Sequence, residues 1–241
     1  MTDKTFVKAK RMLKRAVLAL AAVSSAFCAA SAAAGDVVLV PAPRQMKVNP
    51  GECVKKGTEV DKSVYSYTVD SSLPAEGYRL SVTPAGISVA AAGESGRFYA
   101  EQTLRQLAEV RKGSLAFPCV EITDFPAYPW RGTLIDEGRH FFGKETVKKL
   151  IRPMAGFKLN VLHWHIIDDS GWRIEIPGYP EVTGKGATRR AKKGKRWLRD
   201  LADGDYGPFF YTAQDVREVL KVARENFVKV VPEVEIPGHA G

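Results

Sequence analysis

The chain has 241 residues, of which 45% are hydrophobic, 10% aromatic and 26% charged, a balance that excludes a disordered or fibrous protein. Most of its formal net charge of +9 belongs to residues 1–34, which carry six Lys or Arg and one acid. The remainder has 30 basic and 26 acidic residues. This mild and interspersed excess argues against nucleic acid as the main partner.

Residues 1–34 have the pattern of a secretory signal peptide. A cationic stretch up to Arg15 precedes an apolar run from Ala16 to about Ala30, and three alanines lie just before Gly35. A membrane anchor is the alternative, but an Ala-rich run that ends in small residues favours cleavage. We expect a bacterial protein that is secreted or periplasmic, with no membrane span after signal cleavage.

Cleavage leaves Cys53 and Cys119 as the cysteines of the exported chain. Export implies an oxidising compartment, in which the two thiols can pair. The distance between their Cα atoms is not encoded in the spacing. A disulfide and two buried free thiols therefore both stay open.

Residues 35–126 predict a small α+β domain. Short segments in which β-branched or aromatic residues alternate with polar ones predict strands at 37–40, 65–69, 78–82 and 86–90. Residues 96–109 place Tyr99, Thr103, Leu104 and Leu107 at nearly helical spacing, which predicts one amphipathic helix packed on that sheet.

Residues 127–241 change to a strand, helix, strand, helix, strand rhythm. Strands are predicted at 131–135, 160–167 and 227–234, and helices at 145–157 and from the capping signature at Thr212 and Asp215 to Asn226. This alternation predicts parallel βαβ units, whose ligands bind beyond the carboxyl ends of the strands.

The connection between the second strand and the second helix spans about 40 residues, far more than the usual two to six. Its length predicts a long active-site loop. Eight cations lie between Lys185 and Arg199. They favour a solvated surface over the alternative of a polyanion-binding patch.

Polar and ionisable residues cluster where the three predicted strands end. Three successive strands would deliver them to one rim, as in (β/α)₈-barrel enzymes. The residues are Arg139 and His140 after the first strand, His163, His165, Asp168 and Asp169 at the second, and Glu233, Glu235 and His239 after the third.

Two chemistries suit this rim. His163 and His165 share one face of their strand, and with Asp168 and His239 they form a candidate divalent-metal site. The alternative is sugar recognition, in which a guanidinium and a carboxylate bond to hydroxyls and an indole forms an apolar wall. The candidates for that role are Arg139, Asp168 or Asp169, and Trp172.

Six ordered blocks of sequence carry a more specific signal. They are YPWRG (128–132), DEGRHF (136–141), KLN (158–160), HWHIIDDSGWR (163–173), YTAQD (211–215) and PEVEIPGH (232–239). Together they resemble glycoside hydrolase family 20, the β-N-acetylhexosaminidases, and the resemblance runs over residues 37–241. Residues 78–106 are similar to the non-catalytic α+β domain that precedes the barrel in this family.

The resemblance implies an α+β amino-terminal domain (35–126) followed by a truncated (β/α)₈ TIM barrel (127–241) with about its first three strands. It implies hydrolysis of terminal N-acetylglucosamine or N-acetylgalactosamine from glycans with retention of configuration. The acetamido oxygen of the substrate acts as nucleophile. No metal and no cofactor are implied.

The resemblance also implies roles for individual residues. Arg139 and Asp168 would bind substrate, and Asp168 would form a charge-assisted pair with His239. Trp172 would be a platform for a sugar ring. The supporting hydrogen-bond network would comprise His165, Asp169, Glu235 and His239, although many relatives carry Asp at the position of Glu235.

One departure from the family pattern concerns the catalytic pair, an adjacent Asp-Glu in a His-x-Gly-Gly-Asp-Glu block, which this sequence lacks. Asp136 and Glu137 lie in a different block and are interpreted as structural. A closed barrel needs eight βα units, whereas 115 residues here supply three strands. We therefore expect an amino-terminal portion of a longer enzyme that is inactive alone. A non-catalytic glycan-binding module and a metal-dependent hydrolase are the alternatives.

Overall fold

The structure is a computed structural model that describes residues 37–189 and 205–239. The predicted signal peptide lies outside these ranges, as do six of the eight cations of the long connection. Within the described ranges, no helix is long and apolar enough to cross a membrane.

The first part of the described chain is a six-stranded sheet with a helix against it. The strands lie in the order β1-β6-β3-β4-β2, and β5 pairs with β6. Buried side chains of the helix, among them Tyr99 and Leu104, pack toward β3 and β4. The elements are β1 (Gln45–Lys56), β2 (Ser66–Val69), β3 (Tyr78–Thr83), β4 (Gly86–Ala91), α1 (Glu94–Leu107), β5 (Glu109–Arg111) and β6 (Ser114–Asp124).

Three of the four strands predicted in this part exist, but the strand at 37–40 is wrong. The backbone N–H and C=O of Val40 bond to the side-chain amide of Gln106 instead of to a neighbouring strand. Sequence reasoning missed β1 and β6. In β1 a bulge between Val48 and Glu52 contains a turn-like Asn-Pro-Gly sequence. In β6 consecutive buried residues replace the alternation that marks a half-exposed strand.

Both cysteines of the described chain are buried and free. Cys53 lies in β1 and Cys119 in the paired strand β6. Burial raises the pKa of the Cys119 thiol, and the nearby Cys53 adds to that effect. Of the two alternatives left open by the sequence, the structure has the free thiols.

The second part begins as a parallel sheet with the predicted alternation of strands and helices. The strand order is β11-β8-β7, and both pairings are parallel. Within the described residues these strands form an open sheet rather than a closed barrel. The elements are β7 (Gly132–Asp136), α2 (Lys144–Gly156), β8 (Val161–His165), β9 (Ile167–Asp168), β10 (Gly171–Trp172), α3 (Pro180–Gly184), α4 (Ala213–Glu225) and β11 (Lys229–Glu233).

The long connection between β8 and α4 is more structured than predicted. It starts with the antiparallel β9-β10 pair and then contains the short helix α3. The following helix α4 begins as predicted, with a capping box between Thr212 and Asp215. The two-residue strands were not recognised because no periodicity develops over so short a length.

Helices α2 and α4 cover one face of the parallel sheet. Val147 and Ile151 of α2 and Val219 of α4 pack with Leu162 and Trp164 of β8 in one buried cluster. Because side chains alternate along a strand, His163 and His165 belong to the other face. Hydrophobic burial against the helices therefore sets which residues of β8 reach the rim.

A buried ionic network joins the two sheets at the amino-terminal side of β8. Lys158 Nζ lies 2.8 Å from Asp124 Oδ2, at the end of β6, and 2.9 Å from the hydroxyl of Tyr78 in β3. The Arg44 backbone N–H also donates to Asp124. Burial lowers the pKa of Lys158 and opposes its charge, so that the ion pair with Asp124 is needed to hold it there.

We predict that Lys158→Met lowers the free energy of unfolding by about 3 kcal/mol, because it leaves the Asp124 carboxylate buried without its cation. The double variant Lys158→Met/Asp124→Asn should recover part of this loss. Urea denaturation of the three proteins measures both effects. A single variant as stable as the wild type would contradict the prediction.

Candidate functional site

The last residues of the three parallel strands lie side by side. The register pairs Asp136 of β7 with His165 of β8, and His165 with Glu233 of β11. His163, two positions before His165, lies on the same face. The carboxyl ends of the strands therefore form one rim of acids and imidazoles.

Arg139 is held at this rim by Asp136, three residues before it. The Asp136 carboxylate accepts hydrogen bonds from the Arg139 backbone N–H at 3.0 Å and from Nη1 at 2.6 Å. Nη2 lies 2.9 Å from Asp168 Oδ2. The hydrogen bond to Asp136 is the main reason that the pKa of Arg139 is raised. The side chain is still 53% exposed, and a guanidinium has five N–H donors, so donors remain for a ligand.

Asp168 in β9 is buried and faces three basic groups. Its Oδ2 lies 2.9 Å from Arg139 Nη2, 3.2 Å from His165 Nε2 and 3.2 Å from His239 Nδ1. Gly138 makes this packing feasible, since a Cβ at that position would lie 2.7 Å from Asp168 Cβ and 3.3 Å from His165 Cδ2. The chain after β7 passes this close to Asp168 only because residue 138 lacks a side chain.

His165 lies between two carboxylates. Its Nδ1 is 2.6 Å from Glu233 Oε2 and its Nε2 is 3.2 Å from Asp168. Burial opposes a charge on the ring, but hydrogen bonds to Glu233 and Asp168 and the charge of Asp136 outweigh it and raise the pKa of His165. The pKa of Glu233 is lowered, because its interactions with His165 and His163 outweigh its own burial.

Arg173, just after β10, is fully buried behind the rim and donates only to backbone carbonyls. Its Nε donates to Glu137 at 3.1 Å, and Nη2 donates to Gly138 and Ser170, both at 3.1 Å. Nη1 donates to Ala187 at 2.8 Å. The segment after β7, the β9-β10 turn and the long connection are thereby tied to one side chain.

Trp172 is partly buried beside the apolar core rather than open on both sides. Its indole N–H donates to the Ile174 carbonyl at 2.6 Å, and its ring packs against the buried cluster under α2 and α4. A role as sugar platform stays a prediction. Asp169 next to Asp168 is exposed, and its charge helps to raise the pKa of Arg139.

Two groups of described side chains have metal-ligating atoms within 4.8 Å of one another. His165 Nδ1 and Glu233 Oε2 are 2.6 Å apart, which is the distance of a direct hydrogen bond and leaves no space for an ion between these two atoms. This geometry favours ion pairing over metal binding at His165. The groups are His165, Glu233 and Glu235, and Asp168, Asp169 and His239.

The structure therefore brings Arg139, Asp168, His165 and His239 together, as the candidate site requires. Asp136 and Arg173 were not among the predicted site residues, and Glu233 was predicted at the rim without a role of its own. Asp136 was interpreted as structural, although its spacing of three from Arg139 and its position at a strand end signal a rim contact.

Glu137 is fully buried, as a structural role requires. Its carboxylate accepts hydrogen bonds from the Tyr211 hydroxyl at 2.7 Å and the Phe142 backbone N–H at 2.9 Å. Burial raises the pKa of Glu137. Of these two adjacent carboxylates, Asp136 is the one that the described structure places in contact with rim side chains, namely Arg139 and His165.

Comparison with known families matches both parts of the chain. Residues 53–125 match domain 2 of glycosyl hydrolase family 20, and residues 128–241 match its catalytic domain. A beta-hexosaminidase of Porphyromonas gingivalis is 39% identical over 196 residues, which cover 78% of this chain and 24% of that protein. A beta-hexosaminidase of Akkermansia muciniphila is 38% identical over 169 residues, 70% of this chain and 33% of that one.

Solved structures agree with these matches. The family 20 exo β-N-acetylglucosaminidase of Vibrio harveyi, in complex with N-acetylglucosamine, has a TM-score of 0.76 at 29% identity and covers 83% of this chain. The β-N-acetylhexosaminidase of Bacteroides fragilis has a TM-score of 0.72 at 33% identity and covers 84%. The match spans 36% and 46% of those two chains, so this chain corresponds to less than half of either.

We predict that Gly138→Ala displaces Asp168 and lowers the free energy of unfolding by about 1 to 3 kcal/mol, because the added Cβ overlaps buried atoms. The matched control is Gly156→Ala at the end of α2, where a Cβ would meet nothing within 4 Å. Thermal and urea denaturation compare the two variants. Equal stability of both would contradict the packing argument.

Proposed function

Since the chain belongs to glycosyl hydrolase family 20, we propose that it is the amino-terminal part of a retaining β-N-acetylhexosaminidase and that its rim binds a terminal N-acetylhexosamine. The observation that carries the proposal is the contact of Arg139 with Asp168, which in turn faces His239. The names of its relatives, beta-hexosaminidases among them, support the substrate class.

Sugar recognition rests on the direction of hydrogen-bond donors at the rim. Arg139 is fixed by two carboxylates, and its free N–H groups donate to adjacent hydroxyls of the terminal ring. Asp168 keeps the guanidinium in place and is itself held by His165 and His239. An arginine that is fixed before binding loses little side-chain entropy when the sugar arrives.

The reaction we propose for the whole enzyme is substrate-assisted. The acetamido oxygen of the sugar forms a bond to the anomeric carbon while the glycosidic bond breaks, and a general acid protonates the departing oxygen. Water then attacks the anomeric carbon and opens the ring that the acetamido group has formed, so that the released sugar keeps the configuration of the substrate. In this scheme Arg139 and Asp168 orient the ring, and the general acid comes from a block that residues 1–241 lack.

We also propose that the protein works outside the cytoplasmic membrane of a bacterium, on N-acetylhexosamine-terminated glycans. The pattern of residues 1–34 supports export. The nearly even charge of the remaining sequence suits an uncharged sugar rather than a nucleic acid.

We predict that the 241-residue chain binds N-acetylglucosamine in the millimolar range and that Arg139→Met weakens binding at least about tenfold, because charge-assisted hydrogen bonds to hydroxyls are lost. Arg152→Met, on the exposed side of α2, is the matched control. Isothermal calorimetry measures all three proteins. No heat from the wild type at millimolar sugar would contradict the proposal.

We predict that the same chain does not hydrolyse a chromogenic N-acetylglucosaminide above the uncatalysed rate, since the proposed proton donor is absent from its sequence. Release of the chromophore is followed at several pH values. Clear turnover that is lost in Asp136→Asn would show instead that this acid takes part in the chemistry.

A further inference from the structure

The proposed sugar binding, as described above, assigns no function to Glu233, yet this residue contacts both imidazoles of β8. It is the last residue of β11 and lies in register with His165. Its Oε2 is 2.6 Å from His165 Nδ1 and 3.0 Å from His163 Nε2. One carboxylate oxygen of β11 therefore contacts two side chains of β8.

The second nitrogen of His165, Nε2, links Glu233 to Arg139 through Asp168. His165 Nε2 lies 3.2 Å from Asp168 Oδ2, and that same oxygen lies 2.9 Å from Arg139 Nη2. A ring with carboxylates at both nitrogens is best satisfied as an imidazolium that donates to each. The raised pKa of His165 is consistent with this arrangement.

Both ring nitrogens of His165 contact an anion only when Glu233 is ionised. Asp168 and Asp136, at 3.2 and 3.9 Å from Nε2, are both already in contact with Arg139. Glu233 is the carboxylate on the Nδ1 side, where it also contacts the imidazole of His163. Loss of the Glu233 charge would leave Nδ1 without an anionic acceptor.

We propose that Glu233 is a positioning residue for amino-sugar binding: it anchors His165 by Nδ1 so that Nε2 holds Asp168 against Arg139. This inference rests on the proposed function, because it assumes that Arg139 binds the sugar. The inference adds to that function a residue of β11 that acts without contact with the sugar.

A purely structural role of Glu233 would have different consequences from a positioning role. Glu233 is only half-buried, and its neighbours in β11 are fixed by the backbone pairing with β8. Replacing its charge by an amide of equal size should then leave both His165 and sugar affinity unchanged. A positioning role requires both to change together.

The test uses Glu233→Gln and Glu233→Asp in the 241-residue chain, with Glu59→Gln as a control at an exposed position distant in sequence. The sequence has four histidines, so their ring nitrogens can be assigned in a long-range ¹H–¹⁵N spectrum. Calorimetry with N-acetylglucosamine gives the affinity of each protein, and dispersion of the amide spectrum shows that each is folded.

In Glu233→Gln we expect the pKa of His165, read from its ring nitrogen shifts over a series of pH values, to fall, and affinity for the sugar to fall at least about fivefold. Glu233→Asp keeps the charge but shortens its reach, so it should lower the pKa of His165 less and lose less affinity. Glu59→Gln should match the wild type in both measurements.

Unchanged affinity in a folded Glu233→Gln, whether or not the pKa of His165 falls, would overturn the positioning role while wild-type binding upholds the proposed function. Reduced affinity with an unchanged pKa of His165 would also overturn it, since the effect would not pass through that ring. Absence of wild-type binding would overturn the proposed function, and the positioning role with it.

Discussion

The rim depends on one buried guanidinium. Arg173 is inaccessible to solvent, and a charge in that environment is stable only when its donors are satisfied. Main-chain carbonyls satisfy them, and those carbonyls belong to three segments that are far apart in sequence. Gly138 immediately precedes Arg139, and Ser170 follows Asp168 by two residues, so the contacts of Arg173 set the relative positions of the two predicted sugar-binding residues.

Charges alternate along the rim in front of this guanidinium. An acid from each of the three strand ends or their following turns lies next to a basic side chain, so each of these carboxylates has an ion-pair partner. In the proposed function, an uncharged sugar is recognised by the direction of the remaining donors. The sequence of contacts runs through Glu233, His165, Asp168, Arg139 and Asp136.

The amino-terminal ends of the same parallel strands make ion pairs of a different kind. Lys158 and Asp124 join the parallel sheet to the antiparallel one just before β8 begins. Arg131, just before β7, reaches Glu76 at 2.8 Å on the antiparallel side. Ion pairs at the amino-terminal ends thus join the two sheets, whereas those at the carboxyl-terminal ends form the rim that we propose for sugar binding, the division of roles known from barrels of parallel strands.

The order of parallel strands and helices, the capping box of α4 and the ionisable residues after each strand could all be predicted from the sequence, because each depends on neighbours within a few residues. The strands β1 and β6 could not, since a bulge and two-sided burial hide their alternation. The residues of the candidate site likewise include some that the sequence predicts and some that it does not. Arg139 and Asp168 stood out by motif. Glu233 stood out only as an acid at a strand end, because its partner His165 lies 68 residues away. Arg173 was not singled out, because its acceptors on Glu137 and Gly138 lie 36 and 35 residues away and only folding brings them within hydrogen-bond distance.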